Sequence, residues 1–353
     1  MAEGIKKKIK YDMLAHDRAL YRKVFGEYSF RAKNRTGANI WQKRFRSALR
    51  EALGVSRMEK DLSGHRLHAQ KQATADRGFY VEEKWLLWTE PGVPQPFWLL
   101  RPPGPARPRP LVLTPHGHET GEHYLGIGRT RADMRLIRDE QRDVAVQAVM
   151  EGYMAILPTV RGFGDTKGRE DAKWGNLSSC RSRLMHGLLL GRTPIWERVW
   201  DIGMLLDWAL ERKDIDRTRV AITGNSGGGT VSLFASACDT RISVAVPASY
   251  FSTFAGSIGS IWHCDCNYIP GLLRLGEMAD VAGLIAPRPF CAINGKKDDI
   301  YPLAEAKKSY ARLRAIYRVF RAGDQCRLYV GNGGHRYYSE GCWPFVRKIF
   351  GRG

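Results

Sequence analysis

The chain has 353 residues, of which 43% are hydrophobic, and a formal net charge of +20 at pH 7. That apolar share is ordinary for a globular chain and supplies a sizeable core, so a wholly disordered protein is excluded. No run of about 18 apolar residues exists to cross a bilayer as a helix.

The first ten residues are basic, Met1 to Lys10, with no apolar stretch behind them. No secretory leader is read there, and the cytoplasm is the expected location. Residues 1–60 hold 16 Lys and Arg against 6 Asp and Glu, half of the whole excess. Such a segment either docks on a polyanion or is the solvated side of helices packed on the body. Trp41, Phe45, Leu49 and Leu53 recur every four residues, an apolar helical stripe. With no recognised nucleic-acid module, the second reading is preferred and nucleic acid is not an expected partner. Residues 1–75 are therefore expected to be a basic helical extension packed on a catalytic domain spanning 76–353.

Beyond about residue 65 the pattern changes. Phe79–Trp88 and Phe97–Leu100 read as strands, and the proline-rich stretch Arg101–Pro110 as a surface connection. Pro110–Thr114, Tyr153–Leu157, Val220–Thr223 and Ser243–Val246 read as further strands, with a helix over Trp196–Leu210. Strands alternating with helices predict an α/β fold, a mostly parallel sheet with helices on both faces. Two segments, 165–195 and 250–272, are expected to shape a pocket. Tyr250, Trp262 and His263 in the second are candidate substrate contacts, since a ligand cleft wants aromatic and apolar walls.

The most specific signal is Gly224-Asn225-Ser226-Gly227-Gly228, between the strand-like Arg219–Thr223 and the helix-like Thr230–Ala235. A serine hydroxyl is a weak nucleophile unless held exposed beside a base, and a sharp strand-to-helix turn exposes it. Such an elbow expects an acid and then a histidine further along the chain. Asp298 and Asp299 follow the strand-like Arg288–Gly295, and His335 follows the strand-like Cys326–Val330. Each group thus lies beyond the C-terminal end of a strand, where open α/β sheets bind ligands. Hydrolysis by acyl transfer also needs two N–H donors for the oxyanion. The Gly227 N–H supplies one; the turn Pro115-His116-Gly117-His118 supplies the second, from His118.

The same turn offers His116, His118 and His123 as metal ligands. No carboxylate or thiol partner stands at a recognisable ligand spacing, so no metal is expected. The seven cysteines read as buried free thiols in a reducing compartment. Cys264 and Cys266 are too close for an ordinary disulfide and lack the second pair that a zinc site wants.

These motifs together resemble the α/β-hydrolase superfamily. Arg161-Gly162-Phe163-Gly164-Asp165, Tyr268-Ile269-Pro270-Gly271, Gly276–Asp280 and Ile285–Pro289 are similar to its acetyl xylan esterase and dienelactone-hydrolase-like branch. The resemblance runs over roughly residues 75–350. Dienelactone hydrolases use a cysteine nucleophile, so Ser226 fits the ester-hydrolysing relatives better. The resemblance favours Asp298, four residues before Pro302, over Asp299. It implies an acyl-enzyme on Ser226, His335 as base and then acid, His118 and Gly227 as oxyanion donors, and no cofactor.

The expected function is hydrolysis of short-acyl esters, such as acetyl esters, of a carbohydrate or small molecule. Self-association as a homo-oligomer is left open. A peptidase or amidase of the same fold is one alternative, although the prolyl-oligopeptidase type needs a propeller that 75 residues cannot form. A non-catalytic binding protein is another, but it has no need of all three triad residues.

Overall fold

Residues 11–24, 26–105 and 107–351 are described by a computed structural model. Nine strands run in chain order as β1 (His68–Asp76), β2 (Val81–Glu90), β3 (Val93–Arg101), β4 (Arg109–Leu113), β5 (Met154–Pro158), β6 (Ile215–Asn225), β7 (Val244–Ala248), β8 (Phe290–Gly295) and β9 (Cys326–Gly331). They form one sheet in the order β1-β2-β3-β5-β4-β6-β7-β8-β9. The pairings β1–β2, β2–β3 and β3–β5 are antiparallel, and all the others are parallel.

Successive residues of a strand face opposite sides of a sheet, and here both sides are apolar. Leu111 and Leu113 of β4 join Ile222 and Phe290 in one core. Val112, between them, joins Ala221, Val244 and Ile293 in a second core. Helices Pro194–Leu210, Gly227–Cys238 and Met278–Gly283 contribute to the first, and Val144–Met150 and Ser339–Phe350 to the second. The α/β expectation is met.

The N-terminal stripe works as packing. On helix Arg35–Leu53, Phe45, Leu49 and Leu53 are fully buried in the first core, and Trp41 packs at its margin. Polar residues of the same helix grip carbonyls at the ends of core helices. Gln42 Nε2 donates to the Gly283 and Ala286 oxygens, at 2.9 and 2.6 Å. Arg46 donates to the Ala237 oxygen at 2.8 Å and the Leu284 oxygen at 2.7 Å. Cations are favourable there because unpaired carbonyls leave helix C-termini negative. Met1–Lys10 lie outside the described residues.

The extension is not helical throughout. Its last helix ends at Asp61, and His68–Asp76 is an edge strand paired to β2. That strand is mostly exposed and polar, so it carries no apolar alternation to betray it. No helix among the described residues is long and apolar enough to cross a membrane.

Candidate active site

The chain leaves β4 for β5 on one side and returns to β6 on the other. Such a reversal of strand order opens a crevice beyond the strand ends. The Pro115–His118 turn follows β4, and Ser226 follows β6 directly. Ser226 adopts φ 55°, ψ −116°, a conformation costing a non-glycine residue about 1–3 kcal/mol. Its surroundings hold it there: its N–H donates to the Ala248 oxygen at 2.9 Å, and its oxygen accepts from the Thr230 N–H at 2.9 Å. The turn and the elbow also press together. A Cβ at Gly224 or Gly228 would collide with the Pro115 carbonyl oxygen, so only glycine fits at either position.

His335 Nδ1 lies 2.9 Å from Asp298 Oδ2. The other carboxylate oxygen accepts from the N–H groups of Ile300 and Tyr301, both at 3.0 Å. The Tyr301 ring stacks on the imidazole, with centroids 5.8 Å apart and planes 19° from parallel. Asp299 is exposed and meets no partner among the described residues. Ser226 and His335 line one cavity of about 380 Å³, together with His118, Glu119, Asn225, Arg142, Ile261, Trp262, His263, Cys264 and Ile300. No hydrogen bond among the described residues joins the Ser226 hydroxyl directly to His335.

His116 sets the turn. Fully buried, it accepts the Val160 N–H on Nε2 at 2.9 Å and places Nδ1 2.9 Å from the Gly117 oxygen. Burial pulls its pKa down to about 4, so the ring is neutral, with Nδ1–H donating to Gly117. The His118 and Gly227 N–H groups have no protein acceptor among the described residues. The His118 ring lies over Gly227, where an added Cβ would stand 3.1 Å from Nδ1.

Of the three candidate substrate contacts, two line the cavity. Trp262 is 95% exposed at its rim. His263 is buried in its wall, with Nδ1 3.0 Å from Asn267 Nδ2. Thr230 donates to Asn267 Oδ1 at 3.2 Å, which turns the Asn267 amide N–H toward His263 and leaves the proton on His263 Nε2. That nitrogen is buried without a partner among the described residues, and burial lowers the His263 pKa to about 4.

Tyr250 is a correction. It is wholly buried, packs on Tyr301 with centroids 5.2 Å apart, and does not line the cavity. It backs the Tyr301 ring that stacks on His335. Segment 165–195 supplies no cavity residue either. Glu119 and Arg142, which pair with each other in the wall, had no sequence signal beyond Glu119 being next to His118.

His116, His118 and His123 are not gathered around one point among the described residues. His116 is engaged with Val160 and Gly117, and His123 lies 3.5 Å from Glu119. The fold does bring thiols to the turn, contrary to the reading from spacing. His118, Cys180, Cys264 and Cys266 hold their ligand atoms all within 4.8 Å of one another.

A model of the acetyl xylan esterase family matches residues 135–259. YtaP of Bacillus subtilis, provisionally named a hydrolase, is 24% identical over 247 residues, covering 68% of this chain and 77% of its own. A Bacteroides fragilis protein provisionally named an acetyl xylan esterase superposes with a TM-score of 0.76 at 18% identity, over 97% of this chain and 86% of its own. A glucuronoyl esterase of Teredinibacter turnerae gives 0.60 at 15% identity, over 80% and 78%. The fold is that of the α/β-hydrolases, and the likeness runs to the acetyl xylan esterase branch.

Proposed function

We propose that this chain, an α/β-hydrolase similar to the acetyl xylan esterases, is a carboxylic ester hydrolase that forms an acyl-enzyme on Ser226. The observation that carries the reading is the Asp298–His335 pair facing the cavity that also holds the strained Ser226. Asp298 accepts the Nδ1 proton, which leaves His335 Nε2 as the acceptor for the serine proton. Ser226 Oγ attacks the ester carbonyl while His335 takes its proton. The Gly227 and His118 N–H groups donate to the resulting oxyanion, each worth about 3–4 kcal/mol in such sites. His335 returns the proton to the departing alcohol, and water then releases the acid by the same steps in reverse roles. The serine–histidine contact, open in the free enzyme, closes with substrate bound, as catalytic hydrogen bonds commonly do.

The substrate is a short-acyl ester of a carbohydrate. The exposed Trp262 offers a flat apolar face of the kind on which sugar rings stack, and His263 Nε2–H is a buried donor awaiting an acceptor.

A fluorophosphonate probe should label wild type once, at Ser226, and leave Ser226→Ala unlabelled. A series of p-nitrophenyl esters should then give its highest kcat/KM at acetate. Absence of the adduct on folded protein would overturn the hydrolase reading, and preference for long chains would overturn the short-acyl one.

A further inference from the structure

We propose that His118, Cys180, Cys264 and Cys266 bind one zinc ion in the wall of the catalytic cavity, where His118 and Cys264 border it. The four residues come from three separate segments: the turn after β4, the start of helix Cys180–Leu189, and the loop carrying Trp262 and His263. Cys266 Sγ lies 3.3 Å from His118 Nε2 and 3.3 Å from Cys264 Sγ. Tetrahedral zinc with three sulfurs and one nitrogen has ligand–ligand edges of about 3.5–3.8 Å. The observed cluster, with all ligand atoms within 4.8 Å, brackets that size. Val160 and Phe163 pack around the buried Cys180 and Cys266, while Cys264 is part-buried and, with His118, borders the cavity.

A second observation points to the same place. Arg198 is 97% buried, being only 3% exposed, and pairs with no carboxylate among the described residues. Its guanidinium donates to the Arg161 oxygen and packs over the Phe163 ring, but neither supplies negative charge, and a buried cation is costly unless an anion answers it. Its Nη2 lies 3.3 Å from Cys180 Sγ. Three thiolates, a neutral imidazole and a divalent zinc sum to one negative charge, which Arg198 balances.

Binding is a simple exchange without redox change. Three thiol protons pass to solvent, three Zn–S bonds and one Zn–N bond form, and no electrons move. With all four positions taken by protein, the site is a structural one, closed to substrate. It ties the oxyanion turn through His118 to the loop that forms the cavity rim. Sequence spacing hid it because the third thiol arrives only through the fold.

Elemental analysis of full-length protein, made with zinc supplied and then desalted, should return about one zinc per chain. X-ray absorption at the zinc edge should report three sulfurs and one nitrogen. Cys180→Ala and Cys266→Ala should lose the metal, while Cys342→Ala, in the opposite core, should keep it. If those variants fail to fold, cobalt added to metal-stripped wild type should still give thiolate-to-cobalt charge-transfer bands. Wild type that retains no zinc and gives no such bands, or a disulfide among these three cysteines in the native mass map, overturns the proposal.

Discussion

Asp298 Oδ2 stands 2.9 Å from His335 Nδ1, whereas its neighbour Asp299 faces solvent. Asp298→Asn should lower kcat on p-nitrophenyl acetate by about 10⁴-fold, the usual loss when the imidazole tautomer is no longer fixed. Asp299→Ala should stay within about threefold of wild type, as unpartnered surface changes do. Equal losses in the two variants would remove Asp298 from the triad.

Gly228 abuts the Pro115 carbonyl. Gly228→Ala must push the turn away from the elbow, at a cost of about 1–3 kcal/mol typical of overpacking, and it displaces the His118 N–H as well. Urea denaturation should report the lower stability, and esterase assays a fall in kcat larger than any rise in KM. A variant as stable and active as wild type would mean the two backbones are not in contact.

Trp262 touches solvent on nearly its whole surface. Trp262→Ala should leave the unfolding free energy within about 0.5 kcal/mol of wild type. On an acetylated xylo-oligosaccharide KM should rise about tenfold, equal to the roughly 1.4 kcal/mol of one lost stacking contact. On p-nitrophenyl acetate, which lacks a sugar, KM should not move. A parallel rise on both substrates would argue against a sugar platform.

His116 resists protonation until about pH 4 in the folded chain, whereas an unfolded histidine takes its proton near 6.5. Between those values the unfolded state binds more protons, so stability falls as pH drops through 6.5 and levels off below about 4. Going from pH 7 to pH 5 should cost about 2 kcal/mol through His116 alone. His116→Gln, whose side-chain oxygen can still accept the Val160 N–H, should show a pH dependence shallower by that amount in denaturant titrations. Unchanged slopes would mean His116 is not buried neutral.

Phe45 is fully buried under the sheet. Phe45→Ala should cost about 3–5 kcal/mol, readable as a lower urea midpoint. A loss below 1 kcal/mol would mean the N-terminal helix is not part of the core.

The parts of this molecule legible in its sequence are those encoded locally. Ser226 and His335 each sit in a glycine-marked turn straight after an apolar run, so their place at the sheet edge could be read residue by residue. The apolar stripe from Trp41 to Leu53 announced a packed helix through its period alone. What stayed hidden depends on partners distant in the chain. Composition alone does not separate Asp298 from Asp299; the spacing to Pro302 favours Asp298 through the family resemblance, and the contact with His335 is what the fold adds. Tyr250 looks like a pocket aromatic until Tyr301 covers it. The polar strand His68–Asp76 forms because β2 offers an open edge, not because its own pattern demands a strand. Cys180 and the Cys264, Cys266 pair become neighbours only when two insertions fold over the turn.

Helix Gly227–Cys238 begins immediately after Ser226, and near its other end the Ala237 carbonyl is clasped by Arg46. Helix Arg35–Leu53 is thus fastened to the base of the rod whose tip carries Ser226. Removing helix Arg35–Leu53 would strip that clasp from the rod along with the buried Phe45, Leu49 and Leu53. The folded unit therefore starts no later than the helix at Arg35, well before the first strand.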